Sequence, residues 1–167
     1  MTTTPPFDRT LIDRYEAGAE LLAPAIAGLS GAELDAHPVP GTWSVRQIVV
    51  HLLESELAAV HRMRRIMAED RPLVIAYDET RMAESCFYEH EDMARVCRMF
   101  ADARHMMAGV LRRAPEAAFS RACVHNQNGL VTLGRLVEMY VGHLAHHMKF
   151  LLDKRRMLGK PIDLKAP

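Results

Sequence analysis

Two histidines, His143 and His147, stand four residues apart in the apolar stretch LVEMYVGHLAHHMKFLL, and a third, His51, sits in a second apolar stretch, WSVRQIVVHLLESE. Residues four apart on an α-helix differ by about 40° around its axis, so both imidazoles leave one face and can grip a single ion. Imidazole suits zinc, nickel, copper and iron, and three histidines around an open position form a catalytic geometry for such metals. The expected cofactor is therefore one divalent ion, zinc or nickel first. Three neutral imidazoles leave that ion its full positive charge, which suits activation of an anion. Glu54, one turn from His51, is the candidate general base or outer partner of a ligand, and Asp78 and Glu79 are candidates to shape the mouth.

Spacing alone carries little, because nine histidines make one accidental pair unsurprising. A lone histidine in an apolar stripe is usually an ordinary hydrogen-bonded core residue. Position separates the candidates. Leu133, Leu136, Tyr140, Leu144 and Leu151 mark an inward stripe that also holds His143 and His147, whereas His146 shares its face with Arg135, Gly142, Lys149 and Asp153 and should look outward. His37, His61, His90, His105 and His125 have no comparable neighbours, and surface or capping roles are expected for them.

The elements that must carry these residues are four long helical patterns. The first runs from about Phe7 to Leu29, with a kink expected at Pro24. SGAELDAHPVPGTW is a turn-rich connection, after which Ser44 and Gln47 form a capping box for a helix to about Glu69. A long link over 70–88 follows, and irregular connections of that length often line sites. The third helix spans about Glu89 to Arg113 and stops before Pro115; the fourth is capped by Thr132 and runs to about Met157, where Gly159 and Pro161 end it. Little strand signal is visible. The pattern predicts one all-α domain over residues 1–167, a four-helix bundle with long connections.

Glu56 interrupts an apolar stripe on the second helix (Val45, Val49, Leu52, Val60, Met63, Met67), and Arg104 interrupts one on the third (Met93, Cys97, Phe100, Met107, Leu111). Buried opposite charges are tolerable chiefly when paired, so these two should meet, in a structural bridge rather than a catalytic one. The eleven methionines read as core filler.

Composition excludes several classes. Lys plus Arg and Asp plus Glu are equal at 21 each, so no partner such as nucleic acid or membrane is indicated by net charge. The cluster Arg62, Arg64, Arg65 reads as a solvated helix flank. Cys86, Cys97 and Cys123 form neither a C-x-x-C pair nor an even set, which points away from disulfides and cysteine-held zinc. MTTTPPFDRT lacks the basic and apolar regions of a leader, no run of eighteen apolar residues occurs, and a cytoplasmic location is the default expectation. A di-iron carboxylate site is disfavoured, because no Glu-x-x-His occurs.

PGTWSVRQIVVHLLESE resembles the G-x-W-S-x-x-x-x-x-x-H-L signature of the DinB-like metal-binding four-helix-bundle family, and VGHLAHHMKFL resembles its closing H-x-x-x-H motif. The spacing between the motifs matches too, so the resemblance covers nearly the whole chain. It implies a bundle that binds one divalent ion through His51, His143 and His147, often as a homodimer. Characterised members of the family include S-transferases that use low-molecular-weight thiols and a maleylpyruvate isomerase, and others have no known activity. Where members often follow the final motif with Gly-Gln, this chain has Met148 and Lys149. Two functional readings stand open. One is a metal-dependent enzyme acting on a small molecule, either a thiol S-transferase or a hydrolase; the other is a non-catalytic metal- or ligand-binding stress-response protein.

Overall fold

The computed structural model describes residues 6–164. The leading MTTTP and the closing KAP lie outside the described residues, and with them the leader reading and the outer limits of the expected 1–167 domain.

The first helical stretch is composite: α1 (Thr10–Ala17) passes through a 3-10 turn (Gly18–Leu21) into α2 (Leu22–Ile26). Its irregularity falls at Gly18 and not at the expected Pro24. Pro24 occupies the first turn of α2, where a missing N–H breaks no helical bond. At Gly18 the reason is tertiary, because the guanidinium of Arg104 takes the carbonyl of Tyr15 (2.9 Å) and leaves no room for a side chain there. A short α3 (Gly31–Asp35), with a Ser30–Glu33 capping box, occupies the connection. The 24-residue α4 (Val45–Ala68) starts at the Ser44–Gln47 capping box read from the sequence.

The link after α4 is built rather than loose. It contributes β1 (Leu73–Val74) and α5 (Glu79–Ser85), the latter capped by Asp78. The next long helix, α6 (Met93–Arg113), begins four residues later than expected, since the Asp92 carboxylate takes the N–H groups of Ala94 and Arg95 and leaves Tyr88–His90 as a separate 3-10 turn. Beyond a 3-10 turn at Glu116–Ser120, β2 (Ala122–His125) and β3 (Gly129–Thr132) form an antiparallel hairpin, with β1 parallel to β2 on its other side. This small sheet was not expected. Thr132 then caps α7 (Leu133–Met157), which closes in a Schellman motif: Lys160 N–H bonds to Arg155 O and Gly159 N–H to Arg156 O.

Each long helix packs on two others: α4 against α6 and α7, and α1 against α6 and α7. Buried side chains fall into two clusters, one around Ile12, Met63, Leu111 and Leu136, the other around Leu22, Val49, Phe100 and Leu151. Along α4 and α6 the chain passes from the second cluster into the first; along α1–α2 and α7 it passes from the first into the second. Neighbours α4 and α6 therefore run the same way. A parallel pair cannot be joined by a tight turn, which accounts for the long link between them. Between the two clusters lies a polar layer. There Arg104 donates through Nε to Glu56 Oε2 (2.8 Å) and through its two Nη atoms to the carbonyls of Tyr15 and Tyr140 (2.9 Å each), while the Tyr15 hydroxyl donates to Glu56. All four helical segments meet at this knot. Glu56 and Arg104 are 1% exposed, so their pairing is the buried bridge read from the interrupted stripes.

Candidate metal centre and its two cavities

His51 leaves the middle of α4 and His143 and His147 leave successive turns of α7, close to the polar layer. The structure brings all three together. His51 Nε2 and His143 Nε2 are 3.2 Å apart, and one ring nitrogen from each of the three lies within 4.8 Å of the others. In a tetrahedral site with metal–nitrogen bonds of about 2.0–2.1 Å, ligand atoms sit about 3.3–3.4 Å apart, so the first pair already has ligand spacing. His51 is 1% exposed, and its Nδ1 is a buried side-chain nitrogen with no hydrogen-bond partner among the described residues. At the 3.2 Å between His51 and His143, one neutral ring can donate its N–H to the other's bare nitrogen, and a cation can take the place of that shared proton. This donor set fits a divalent ion. Burial holds the imidazoles neutral, with pKa values lowered to about 4 for His51, about 3 for His143 and about 4 for His147; in His143 the neighbouring His147 and His51 add to the effect. Neutral imidazole is the form that ligates.

Trp43 walls the cluster, with its ring 4.8 Å from His51 and stacked at 6.0 Å on His147. Its place follows from the sequence immediately before α4: Gly41 takes a positive φ (73°), and Ser44 starts the helix. His146, on the outer face of α7, is exposed and meets the Phe150 ring edge-on. It lies outside the group of three.

Glu54 accepts a hydrogen bond from the Tyr88 hydroxyl, whose pKa is raised by burial and by that carboxylate. Glu54 lines neither cavity at the cluster. The carboxylate brought up to the histidines is Glu79, the first residue of α5, with Oε2 4.0 Å from His51 Nε2. Glu79 borders both cavities, while Asp78 is spent as the cap of its helix.

One cavity, about 510 Å³, is bordered by His143 and by Ser55, Arg62, Tyr77, His125 and Tyr140. The other, about 480 Å³, is bordered by His147 and by Trp43, Ile48, Phe150 and Met157, and is more apolar. Two sequence expectations fail in the first. Arg62 is no solvated flank: it is half-buried, donating to the Tyr140 hydroxyl (3.2 Å) and to Ile75 O (2.9 Å) with its guanidinium over the Tyr77 ring. His125 fails only the surface half of its expectation: it is 8% exposed at the end of β2, but it does cap, its ring taking the N–H groups of Gln127 and Asn128 in the hairpin turn. Both depend on the sheet, which is tied by Val124 N–H to Pro72 O, Asn126 N–H to Val74 O and Ala76 N–H to the Asn126 side chain. The signal was present as Asn128-Gly129, with Gly129 at φ 68°, a dipeptide that marks hairpin turns.

Three inward histidines that converge between two cavities of a helical bundle form a group with the spacing to hold a metal ion. The chain belongs to the DinB superfamily, whose sequence model matches residues 14–151. A protein of Oceanobacillus iheyensis that bears the provisional name of metal-dependent hydrolase is 27% identical over 148 residues, 87% of this chain and 85% of that one. YfiT of Bacillus subtilis, named in the same provisional way, is 25% identical over 83% of this chain and 78% of its own. The solved structure of YfiT, described as a probable metal-dependent hydrolase with an unusual four-helix bundle topology, superposes on 95% of this chain and 92% of that one with a TM-score of 0.87 at 23% identity. A mycothiol-dependent maleylpyruvate isomerase shares the fold at a TM-score of 0.68 and 15% identity, over 85% of this chain and 59% of that one. No helix among the described residues is long and apolar enough to cross a membrane.

Proposed function

We propose that His51, His143 and His147 hold one divalent ion, zinc or nickel, and that the chain is a metal-dependent hydrolase of a small molecule. The observation that carries this reading is the convergence of three imidazole nitrogens within 4.8 Å, with Glu79 beside them, at the border of two cavities. The names of the relatives support the same class. A bound ion supplies Lewis acidity there, lowering the pKa of a water or thiol and polarising a substrate oxygen. The chain does the rest. Glu79 stands where a carboxylate can accept the proton a water gives up, and its partial exposure lets it pass that proton to solvent. Trp43 and Tyr140 hold the rings of His147 and His143 from either side, which limits their reorientation.

Metal analysis of untagged protein and a panel of activated esters and amides test the reading. The expected result is one ion per chain and turnover that chelation abolishes and metal restores. Glu79→Gln should keep the ion and lower kcat by roughly 10²–10⁴-fold, the usual contribution of a general base. Stoichiometric metal with no turnover across the panel would instead favour a non-catalytic binding protein. Transfer of a low-molecular-weight thiol to an electrophile is the second reading. The apolar cavity at His147 favours it, because two reactants could reach the cluster from separate sides. Thiol-dependent consumption of an electrophile in the absence of ester hydrolysis would select it.

A further inference from the structure

The cavity bordered by His143 holds a cation and an imidazole donor that the hydrolytic reading leaves unused. Arg62 has five N–H groups and spends two, one on the Tyr140 hydroxyl and one on Ile75 O. No carboxylate forms an ion pair with it among the described residues. Its position is nonetheless firm, since both bonds and the Tyr77 ring hold the guanidinium in place. The second group is His125. Its Nδ1 accepts the backbone N–H groups of Gln127 (3.2 Å) and Asn128 (3.3 Å), so in the neutral ring the proton sits on Nε2. That N–H has no protein partner among the described residues, although the residue is buried and borders the cavity. Burial and the Arg62 charge both lower its pKa, which keeps Nδ1 in the accepting role the turn needs.

We propose that Arg62 and His125 form a carboxylate-binding subsite, so that the substrate carries a carboxylate on the side of its scissile bond that lies in this cavity. The inference rests on the hydrolytic reading for the word substrate, but not for the subsite itself. Three unspent guanidinium N–H groups and one imidazole N–H match the lone pairs of a single carboxylate. A phosphate dianion has more charge and more acceptors than this set supplies. The link from subsite to metal cluster is short: the Tyr140 hydroxyl takes one Arg62 bond, and the Tyr140 ring meets His143 edge-on at 6.0 Å. Glu79 also borders the cavity, and its negative charge is set against the ion that the three neutral imidazoles leave uncompensated.

Phenylacetate and its neutral counterpart phenylacetamide, titrated into the full chain with and without zinc, separate the subsite from the metal. Arg62→Gln removes the charge. His125→Asn keeps an acceptor at the Nδ1 position for the Gln127 and Asn128 N–H groups and removes the Nε2 donor. The metal-free chain should bind phenylacetate in preference to the amide, and Arg62→Gln should lose about ten- to a hundredfold in affinity, the range for a charged hydrogen bond of roughly 1.5–3 kcal/mol. His125→Asn should lose less, and inorganic phosphate should compete poorly. In the zinc-loaded chain, KM for a p-nitrophenyl hemisuccinate should rise in Arg62→Gln while that for the neutral butyrate ester stays, with zinc content unchanged in both variants. Equal binding of acid and amide, unaltered binding in Arg62→Gln, or phosphate displacing phenylacetate would each overturn the carboxylate subsite. Failure of the metal reading looks different: no zinc retained and neither ester cleaved, with the preference for phenylacetate intact in the metal-free chain.

Discussion

The bundle interior contains two polar clusters less than one helix turn apart along α7, and they solve the problem of burial in opposite ways. Around Glu56 and Arg104 the charges are paired, the carboxylate also receives the Tyr15 hydroxyl, and the guanidinium is saturated by two carbonyls. Around His51, His143 and His147 three neutral rings converge, and one nitrogen of His51 has no partner among the described residues. The first cluster is complete in the protein alone. The second leaves a buried nitrogen unpaired among the described residues beside a group of convergent imidazoles, the pattern of a candidate site rather than of a structural bridge.

Metal titration gives the largest contrast. His147→Ala should lower affinity by more than the roughly 10–100-fold that loss of an outer partner costs, because it removes a ligand, whereas His146→Ala should change it little. The His51 to His143 spacing already supports the inner face from which that pair of outcomes is drawn. Release of the ion by His146→Ala alone would redraw that face.

Arg104→Ala should destabilise the fold by about 3–5 kcal/mol, read by urea or thermal unfolding, since it strands Glu56 between two apolar clusters. A double replacement of Glu56 and Arg104 by Met should recover much of this loss, because no unpaired charge then remains. An unchanged melting temperature in Arg104→Ala would count against the knot as a structural device.

Gly18→Ala probes the same knot from outside. A Cβ at this position would lie 2.5 Å from Leu144 Cδ2 and closer still to Arg104 Nη1, and the guanidinium cannot swing away without losing its three partners. The expected cost is about 1–3 kcal/mol, the range for overpacking, with metal affinity unaffected.

Acid stability gives the smallest and most diagnostic effect. The three histidines have folded pKa values of about 3 to 4, below the usual 6.5, so the folded metal-free chain binds fewer protons than the unfolded one. Their contribution is fully present above about pH 6.5 and is lost as pH falls toward 4 and then 3. Replacing one of them, as in His143→Gln, should flatten the urea midpoint against pH across that window, by at most about 1.4 kcal/mol per pH unit for one proton. An identical profile in the variant would mean the imidazoles are not held neutral by burial.

Much of this was legible in one dimension, for identifiable reasons. The capping box at Ser44 and the side-chain cap at Thr132 are local, and they start α4 and α7 where the sequence places them. The i,i+4 spacing sets His143 and His147 on one face whatever the rest of the chain does. Glu56 and Arg104 were readable as partners because an isolated charge in an apolar stripe has no other tolerable arrangement. The misses share a cause as well. Arg62 looked like a solvated flank, and only the small sheet, held together by bonds from Val124, Asn126 and Ala76 and tied to α4 by Arg62 to Ile75 O and Arg65 to Leu73 O, turns its surroundings into a cavity wall. Glu54 read as the carboxylate beside the cluster and Glu79 only as part of the mouth; Tyr88 claims the first, while the fold of the link carries the second to His51.

By itself, then, the sequence determined the starts of α4 and α7, the inward faces of the long helices and the placing of His143 and His147 on one of them, because periodicity and capping act over a few residues. The tertiary structure alone decided which carboxylate approaches the cluster, which arginine enters the cavity and that two cavities flank one site. Those facts depend on contacts between segments dozens of residues apart, and no local pattern encodes the meeting of a loop with a helix.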